Sequence, residues 1–192
     1  MGVIRTFIGI GLDDDIREEL GDAIDELKAT NANVRWVKPG NIHITLKFLG
    51  NIEEDRVGEI ENALKPLGNR DSFELTAQGA GVLPNPRYPR VVYAGLETGV
   101  EALKELNRAM EDTMETMGFK REERDFLPHL TLGRVKSFRA KSLLMMKIRE
   151  LQKKEFGSIA VNGFSLIQSD LRPTGSVYTE LANIPLSKGV VK

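Results

Sequence analysis

The chain has no cysteine. That removes disulfide frameworks, thiolate nucleophiles and cysteine-ligated zinc together, and a cytoplasmic home is the expectation. No apolar run approaches the roughly 20 residues that a membrane-spanning helix needs. The stretch from Val3 to Leu12 is interrupted by Arg5 and followed by Asp13, Asp14 and Asp15, so it lacks the basic-apolar-cleavage order of a signal peptide. Charge of one sign is also missing. A net charge of -1 argues against a protein coated in nucleic acid, but leaves room for a local basic patch that grips one RNA end. The pair Gly9 and Gly11 lacks the third glycine of a dinucleotide fingerprint. What remains is an ordinary globular composition, with 41% hydrophobic and 29% charged residues over 192 positions. That is enough for one compact domain or two small lobes sharing a core.

Histidine is the other scarcity. There are two, and both sit in the same setting: His43-Ile44-Thr45-Leu46 and His129-Leu130-Thr131-Leu132. Threonine fills about one position in twenty, so chance places Thr two residues after both histidines about once in 400 such chains. The second motif follows the first by 86 residues, and the same offset relates more of the chain. Phe7-Ile8-Gly9-Ile10 maps onto Tyr93-Ala94-Gly95-Leu96, Leu20 onto Leu106, and Ile24 onto Met110. Phe73 and Leu75 map onto Ile159 and Val161, and Val91 and Val92 onto Val177 and Tyr178. Apolar positions meet apolar positions without a gap. The pattern predicts a single domain over 1–192, internally duplicated at an offset of 86.

Periodicity predicts the elements. Strands are expected over Ile4–Leu12, Val34–Val37, Ile42–Phe48, Phe73–Val82, Arg90–Leu96, His129–Val135, Ile159–Gln168 and Ser176–Leu181. Helices are expected after an Asp13 cap on the face Ile16, Leu20, Ile24 and Leu27, over Glu53–Leu64 up to Pro66, over Gly99–Met117, and over Lys141–Phe156. The short turns favour an α+β fold with mostly antiparallel sheets over a doubly wound parallel one. Two pseudo-symmetric lobes with flanking helices would then enclose a central cleft.

Side chains alternate faces along a strand, so His43 and Thr45 point one way while Ile44 and Leu46 point into the core. The same holds for His129 and Thr131. Each strand offers an imidazole and a hydroxyl about 7 Å apart. Converging in one cleft, one imidazole can deprotonate a nucleophile while the other protonates a leaving group. The two hydroxyls can donate to charged oxygens between them. That suits in-line displacement at phosphorus with no metal. Two histidines acting as a metal pair is the alternative, but there is no His-x-x-x-His and no carboxylate inside either motif.

At these residues the chain resembles the two-histidine phosphoesterase superfamily, and within it the LigT/ThpR-type RNA 2′,3′-cyclic phosphodiesterases, also called 2′-5′ RNA ligases. The resemblance runs through Val34-Arg35-Trp36-Val37-Lys38-Pro39 into His43-Ile44-Thr45-Leu46-Lys47-Phe48-Leu49-Gly50. It returns in Phe126-Leu127-Pro128-His129-Leu130-Thr131-Leu132-Gly133-Arg134. The start Arg5-Thr6-Phe7-Ile8 and the late Phe164-Ser165-Leu166 and Tyr178-Thr179 also fit. It implies a bilobal α+β fold and hydrolysis of a terminal ribose 2′,3′-cyclic phosphate, on an RNA 3′ end or a nucleotide, to a 2′-phosphomonoester. No cofactor, metal, membrane or obligate protein partner is implied. It also implies that His43 is the proton donor and His129 the proton acceptor, with Thr45 and Thr131 holding phosphate oxygens. The residues alone do not distinguish the two histidines.

Three neighbours are candidate substrate-binding residues. Lys47 is four residues from His43 and shares its face in a regular strand. Arg134 offers directional donors to phosphate, but five residues from His129 it faces away unless a bulge at Gly133 re-aims it. Phe48 and Trp36 are candidates for stacking on a base, against the alternative of buried core roles. The run Arg134, Lys136, Arg139 and Lys141, with Arg87 and Arg90 in the proline-rich loop, could guide an RNA backbone or be plain solvated surface. Two competing functions share these residues: 2′-5′ ligation of RNA (tRNA) fragments, and a non-catalytic module that binds RNA ends.

Overall fold

The computed structural model describes residues 2–173 and 175–188; Met1, Thr174 and residues 189–192 lie outside it, and so do the two ends of the expected 1–192 domain. Nine strands and four α-helices follow one another in this order among the described residues: β1 (Val3–Ile10), α1 (Asp14–Lys28), β2 (Val34–Trp36), β3 (Ile44–Glu53), α2 (Val57–Leu64), β4 (Phe73–Leu83), β5 (Val91–Leu96), α3 (Val100–Thr116), β6 (His129–Val135), α4 (Lys141–Glu150), β7 (Glu155–Val161), β8 (Gly163–Arg172) and β9 (Gly175–Pro185). All strand pairs named are antiparallel. Among the described residues, no helix is long and apolar enough to cross a membrane.

The strand order is β7-β4-β5-β6-β3-β1-β8-β9, with β2 also on β6. Its middle is almost cut. β6 and β3 meet through one residue pair, Ile44 opposite Leu130. Either side of that seam lies a four-stranded lobe, β3-β1-β8-β9 and β7-β4-β5-β6. This is the bilobal, pseudo-symmetric α+β fold. The helices cross between lobes. α1 follows β1 yet packs on β7 and α4, while α3 follows β5 yet packs on β3 and α2. α1 forms as its pattern dictates, with Asp14 and Asp15 at the positive N-terminal end, Lys28 at the other, and Ile16, Leu20, Ala23, Ile24 and Leu27 buried. Those apolar side chains join one core with Ile8, Ile44, Leu46, Leu103, Leu130 and Leu132. One continuous core thus underlies both lobes and packs them together across the single strand contact.

Several expected boundaries move. The strand expected over Ile159–Gln168 is two, β7 and β8, and the chain passes from one lobe to the other between them. The helix expected over Lys141–Phe156 ends at Glu150, and Glu155–Val161 is a strand. Phe156, Ile159 and Val161 are buried along β7 beside β4, so sheet pairing overrides the helical spacing that carries Leu144 and Ile148. The helix expected from Glu53 begins only at Val57, after a short 3-10 turn, and Pro66 falls inside a second such turn over Lys65–Asn69.

Candidate active site

Ile44 and Leu130 are fully buried. The residues flanking them, His43, Thr45, His129 and Thr131, therefore all point to the opposite face of the seam. Residues two apart on a strand stand about 7 Å from each other, and adjacent strands about 5 Å. The four side chains thus outline a patch of phosphate dimensions. The structure brings both motifs together there.

The imidazoles are held alike. Nδ1 of His43 lies 2.8 Å from the Asn41 carbonyl oxygen, and Nδ1 of His129 lies 2.8 Å from that of Leu127. A carbonyl only accepts, so Nδ1 carries the proton in both rings. Nε2 is left as the atom that gains or loses a proton. Around Nε2 the lobes differ. Nε2 of His43 is 3.0 Å from the Thr45 hydroxyl; no corresponding bond joins His129 to Thr131 among the described residues. Phe7 stacks on His43 with ring centres 4.6 Å apart, and Tyr178 meets it edge-on at 5.2 Å. Tyr93, the counterpart of Phe7, meets His129 edge-on at 5.8 Å. Gly9 makes room for the first stack, since a Cβ there would lie 2.8 Å from the Ile44 carbonyl oxygen and 3.4 Å from the His43 ring. This burial pushes the His43 pKa down; the Asn41 carbonyl opposes the shift, and the charge of His129 adds to it.

Both motif strands contain a β-bulge, and it re-sorts the neighbours. On β3, Thr45 pairs with Gly9 and Lys47 with Ile8, so Leu46 is the extra residue. On β6, Thr131 pairs with Tyr93 and Gly133 with Val92, so Leu132 is extra. Beyond each bulge the alternation flips. Lys47 therefore does not line the cleft. It is 4% exposed, on the core side, where its ammonium pairs with Glu111 of α3 and donates to the Lys120 carbonyl at 3.0 Å. Phe48 takes the face that Lys47 was expected to hold; it is 60% exposed and packs beside Phe7. Arg134 occupies the same position in the other lobe. It is exposed on the His129 side, through a bulge at Leu132 and not at Gly133. Gly133 points inward, where a Cβ would collide with Val34 and Trp36 at 2.6 and 2.8 Å. Trp36 thus packs on the β6 backbone.

Several site residues escaped the sequence. Arg35 stands directly across from Arg134, and both are exposed on one face. Two guanidinium groups facing across a strand pair repel, and an anion between them relieves the repulsion. Phe7 and Tyr93 were aligned by the 86-residue offset, which was the available signal, but nothing marked them as the supports of the two rings. Asn107 was silent. It is buried on α3 and donates to the carbonyl of the bulged Leu46 at 2.8 Å, from 61 residues away. Among the described residues no cluster of three His, Cys, Asp or Glu side chains is placed to hold a metal ion.

Known proteins share this sequence and fold. The family model for LigT-like phosphoesterases matches twice, over residues 10–93 and 96–178. An RNA 2′,3′-cyclic phosphodiesterase of Methanothermobacter thermautotrophicus is 42% identical over 179 residues, covering 93% of this chain and 96% of that protein. One from Archaeoglobus fulgidus is 36% identical, covering 93% and 98%. Among solved structures, Escherichia coli LigT bound to 3′-AMP superposes with a TM-score of 0.76 at 25% identity, over 97% of this chain and all of that one. The chain belongs to the LigT-like phosphoesterases, a family of the two-histidine type.

Proposed function

We propose that this chain is an RNA 2′,3′-cyclic phosphodiesterase that works in the cytoplasm. It opens a terminal cyclic phosphate to a 2′-phosphomonoester by two-histidine acid–base catalysis. The observation that carries this reading is the pair of rings on one face of the seam, each with Nδ1 tied to a carbonyl, which leaves Nε2 for proton transfer. Water attacks phosphorus from the His129 side. As the oxygen–phosphorus bond forms, the Nε2 lone pair of His129 takes the water proton. The bond from phosphorus to O3′ breaks, and protonated Nε2 of His43 gives its proton to O3′. The rings end with exchanged protonation states and reset with solvent. Thr45 and Thr131 donate to the nonbridging oxygens, while Arg134, with Arg35 beside it, balances the phosphate charge. Phe48 offers a face for the terminal base. The RNA names of the relatives and the 3′-AMP on LigT support the substrate class.

We also read the chain as one domain built from two copies of a half. α1 and α3 begin at residues 14 and 100, the same 86-residue spacing as the histidines. Ligation of 2′-5′ ends would use the same rings in the reverse sense.

His43→Ala and His129→Ala test the mechanism. Each should lower kcat by about 10²–10⁴-fold while the protein stays folded at the assay temperature. Retained turnover in either variant contradicts it.

A further inference from the structure

The acidic residues of this nearly neutral chain avoid three stretches. Residues 27–52, 75–96 and 126–149 contain no Asp or Glu, yet hold Lys28, Arg35, Lys38, Lys47, Arg87, Arg90, Arg134, Lys136, Arg139, Lys141, Lys147 and Arg149. With the Lys47 charge paired to Glu111, Lys28 to Asp25, and Lys147 to Glu26 and Glu150, most of the others remain exposed. Two of these stretches contain the motif strands, and the third contains the β4–β5 hairpin.

The hairpin loop and the loop after β6 meet beyond Arg134. Val91 pairs with Arg134, and the Val135 amide donates to the Arg90 carbonyl. Further out, the Lys141 ammonium donates to the Arg87 carbonyl and clips the two loops together. Tyr88 and Phe138 project from this junction, 52% and 56% exposed, with ring centres 6.4 Å apart. A cation lies over each: the Arg87 guanidinium 5.4 Å from the Tyr88 ring centre, and the Lys141 ammonium 5.4 Å from that of Phe138. Two large aromatic rings left in water, each with a cation beside it and both on stretches of chain without Asp or Glu, have the makeup of a stacking platform for single-stranded nucleic acid. β6 connects the platform to the site. It starts at His129, passes Thr131 and Arg134, and ends about 20 Å away at Val135.

We propose that Tyr88 and Phe138, with Arg87 and Lys141, form a second subsite that stacks bases of a single-stranded RNA several nucleotides upstream of the end held at the histidines. The proposal rests on the reading of the site as one for RNA ends. It makes the enzyme a reader of chain length, preferring an oligonucleotide to a cyclic mononucleotide.

The test compares wild type with Tyr88→Ala/Phe138→Ala on two substrates. One is a single-stranded RNA of about eight nucleotides ending in a 2′,3′-cyclic phosphate, and the other is a 2′,3′-cyclic mononucleotide. On the oligomer, KM should rise on the order of tenfold to a hundredfold with kcat retained. On the mononucleotide, nothing should change. Equal behaviour of the variant and wild type on the oligomer overturns the proposal. So does a parallel loss on both substrates with a lowered melting temperature, which would make the aromatic pair only a clip between loops.

A second measurement needs no mutation. Wild type should bind an oligomer with abasic upstream positions as weakly as the variant binds the intact one. Undiminished binding of the abasic oligomer, or equal displacement of both by polyglutamate, would leave only a polyanion surface. If wild type turns over neither substrate, the proposed activity fails, and fluorescence anisotropy with these oligomers still decides the subsite.

Discussion

Replacing Lys47 separates a buried structural cation from a phosphate-binding one. The side chains of Lys47 and Glu111 are 3% and 9% exposed. Besides each other, their hydrogen-bond partners among the described residues are the Lys120 carbonyl at 3.0 Å and the Glu122 amide at 3.2 Å. Lys47→Met leaves the Glu111 carboxylate buried with one amide donor and the Lys120 carbonyl with none. Removing one member of a buried pair costs about 3–5 kcal/mol. In a domain of this size each kcal/mol shifts the melting temperature by about 2–4 °C, so a fall of about 10 °C is expected. Lys47→Met/Glu111→Leu takes out both charges and should regain most of that loss, a coupling that a double-mutant cycle reads directly. Thermal unfolding followed by circular dichroism gives the numbers. The same proteins, assayed at a temperature where all are folded, should keep kcat/KM within about threefold, because Lys47 faces the core and not the phosphate. A stable Lys47→Met protein with collapsed kcat/KM would refute both the bulge and the burial.

Three further outcomes are expected. The pH profile of kcat/KM should be a bell whose alkaline limb, set by the proton donor His43, breaks below pH 6.5, because burial lowers the His43 pKa; Phe7→Ala, which opens that ring to water, should move this limb upward, and an unmoved limb would contradict the assignment. Arg134→Lys should fail to restore more than a small part of what Arg134→Ala loses in kcat/KM, since one ammonium does not reproduce the guanidinium fork; full rescue would mean that Arg134 acts only as a point charge. Asn107→Ala leaves the bulged Leu46 carbonyl without its donor and should cost about 1–3 kcal/mol in denaturant unfolding, with Phe48 losing its orientation and KM rising more than kcat falls; an unchanged KM would detach the bulge from substrate binding.

Much of this was legible in the residues. Alternation along Ile42–Phe48 and His129–Val135 turned both His-Thr pairs to one side, and the 86-residue offset aligned Phe7 with Tyr93 before either ring was known to support a histidine. The errors begin where the period of two breaks. Counting by twos put Lys47 in the cleft, and left Arg134 there only if a bulge intervened. The bulges at Leu46 and Leu132 exchange these faces. No local feature announces the one at Leu46, because the side chain that satisfies its carbonyl is Asn107 on a helix of the other half. The end of α4 departs from its local pattern for a related reason. The stretch from Lys141 to Phe156 keeps a helical apolar spacing, and only the pairing of β7 with β4 decides that its last residues extend. Local pattern sets the elements, while long-range partners set where a strand kinks or a helix stops.

The most direct test of the two-histidine account is hydrolysis of an RNA oligomer ending in a 2′,3′-cyclic phosphate, in the presence of EDTA, with the product identified. The account predicts undiminished turnover to a 2′-phosphate. Activity lost with EDTA and restored by a divalent metal would contradict the mechanism, and a 3′-phosphate product would contradict the assigned direction of proton transfer.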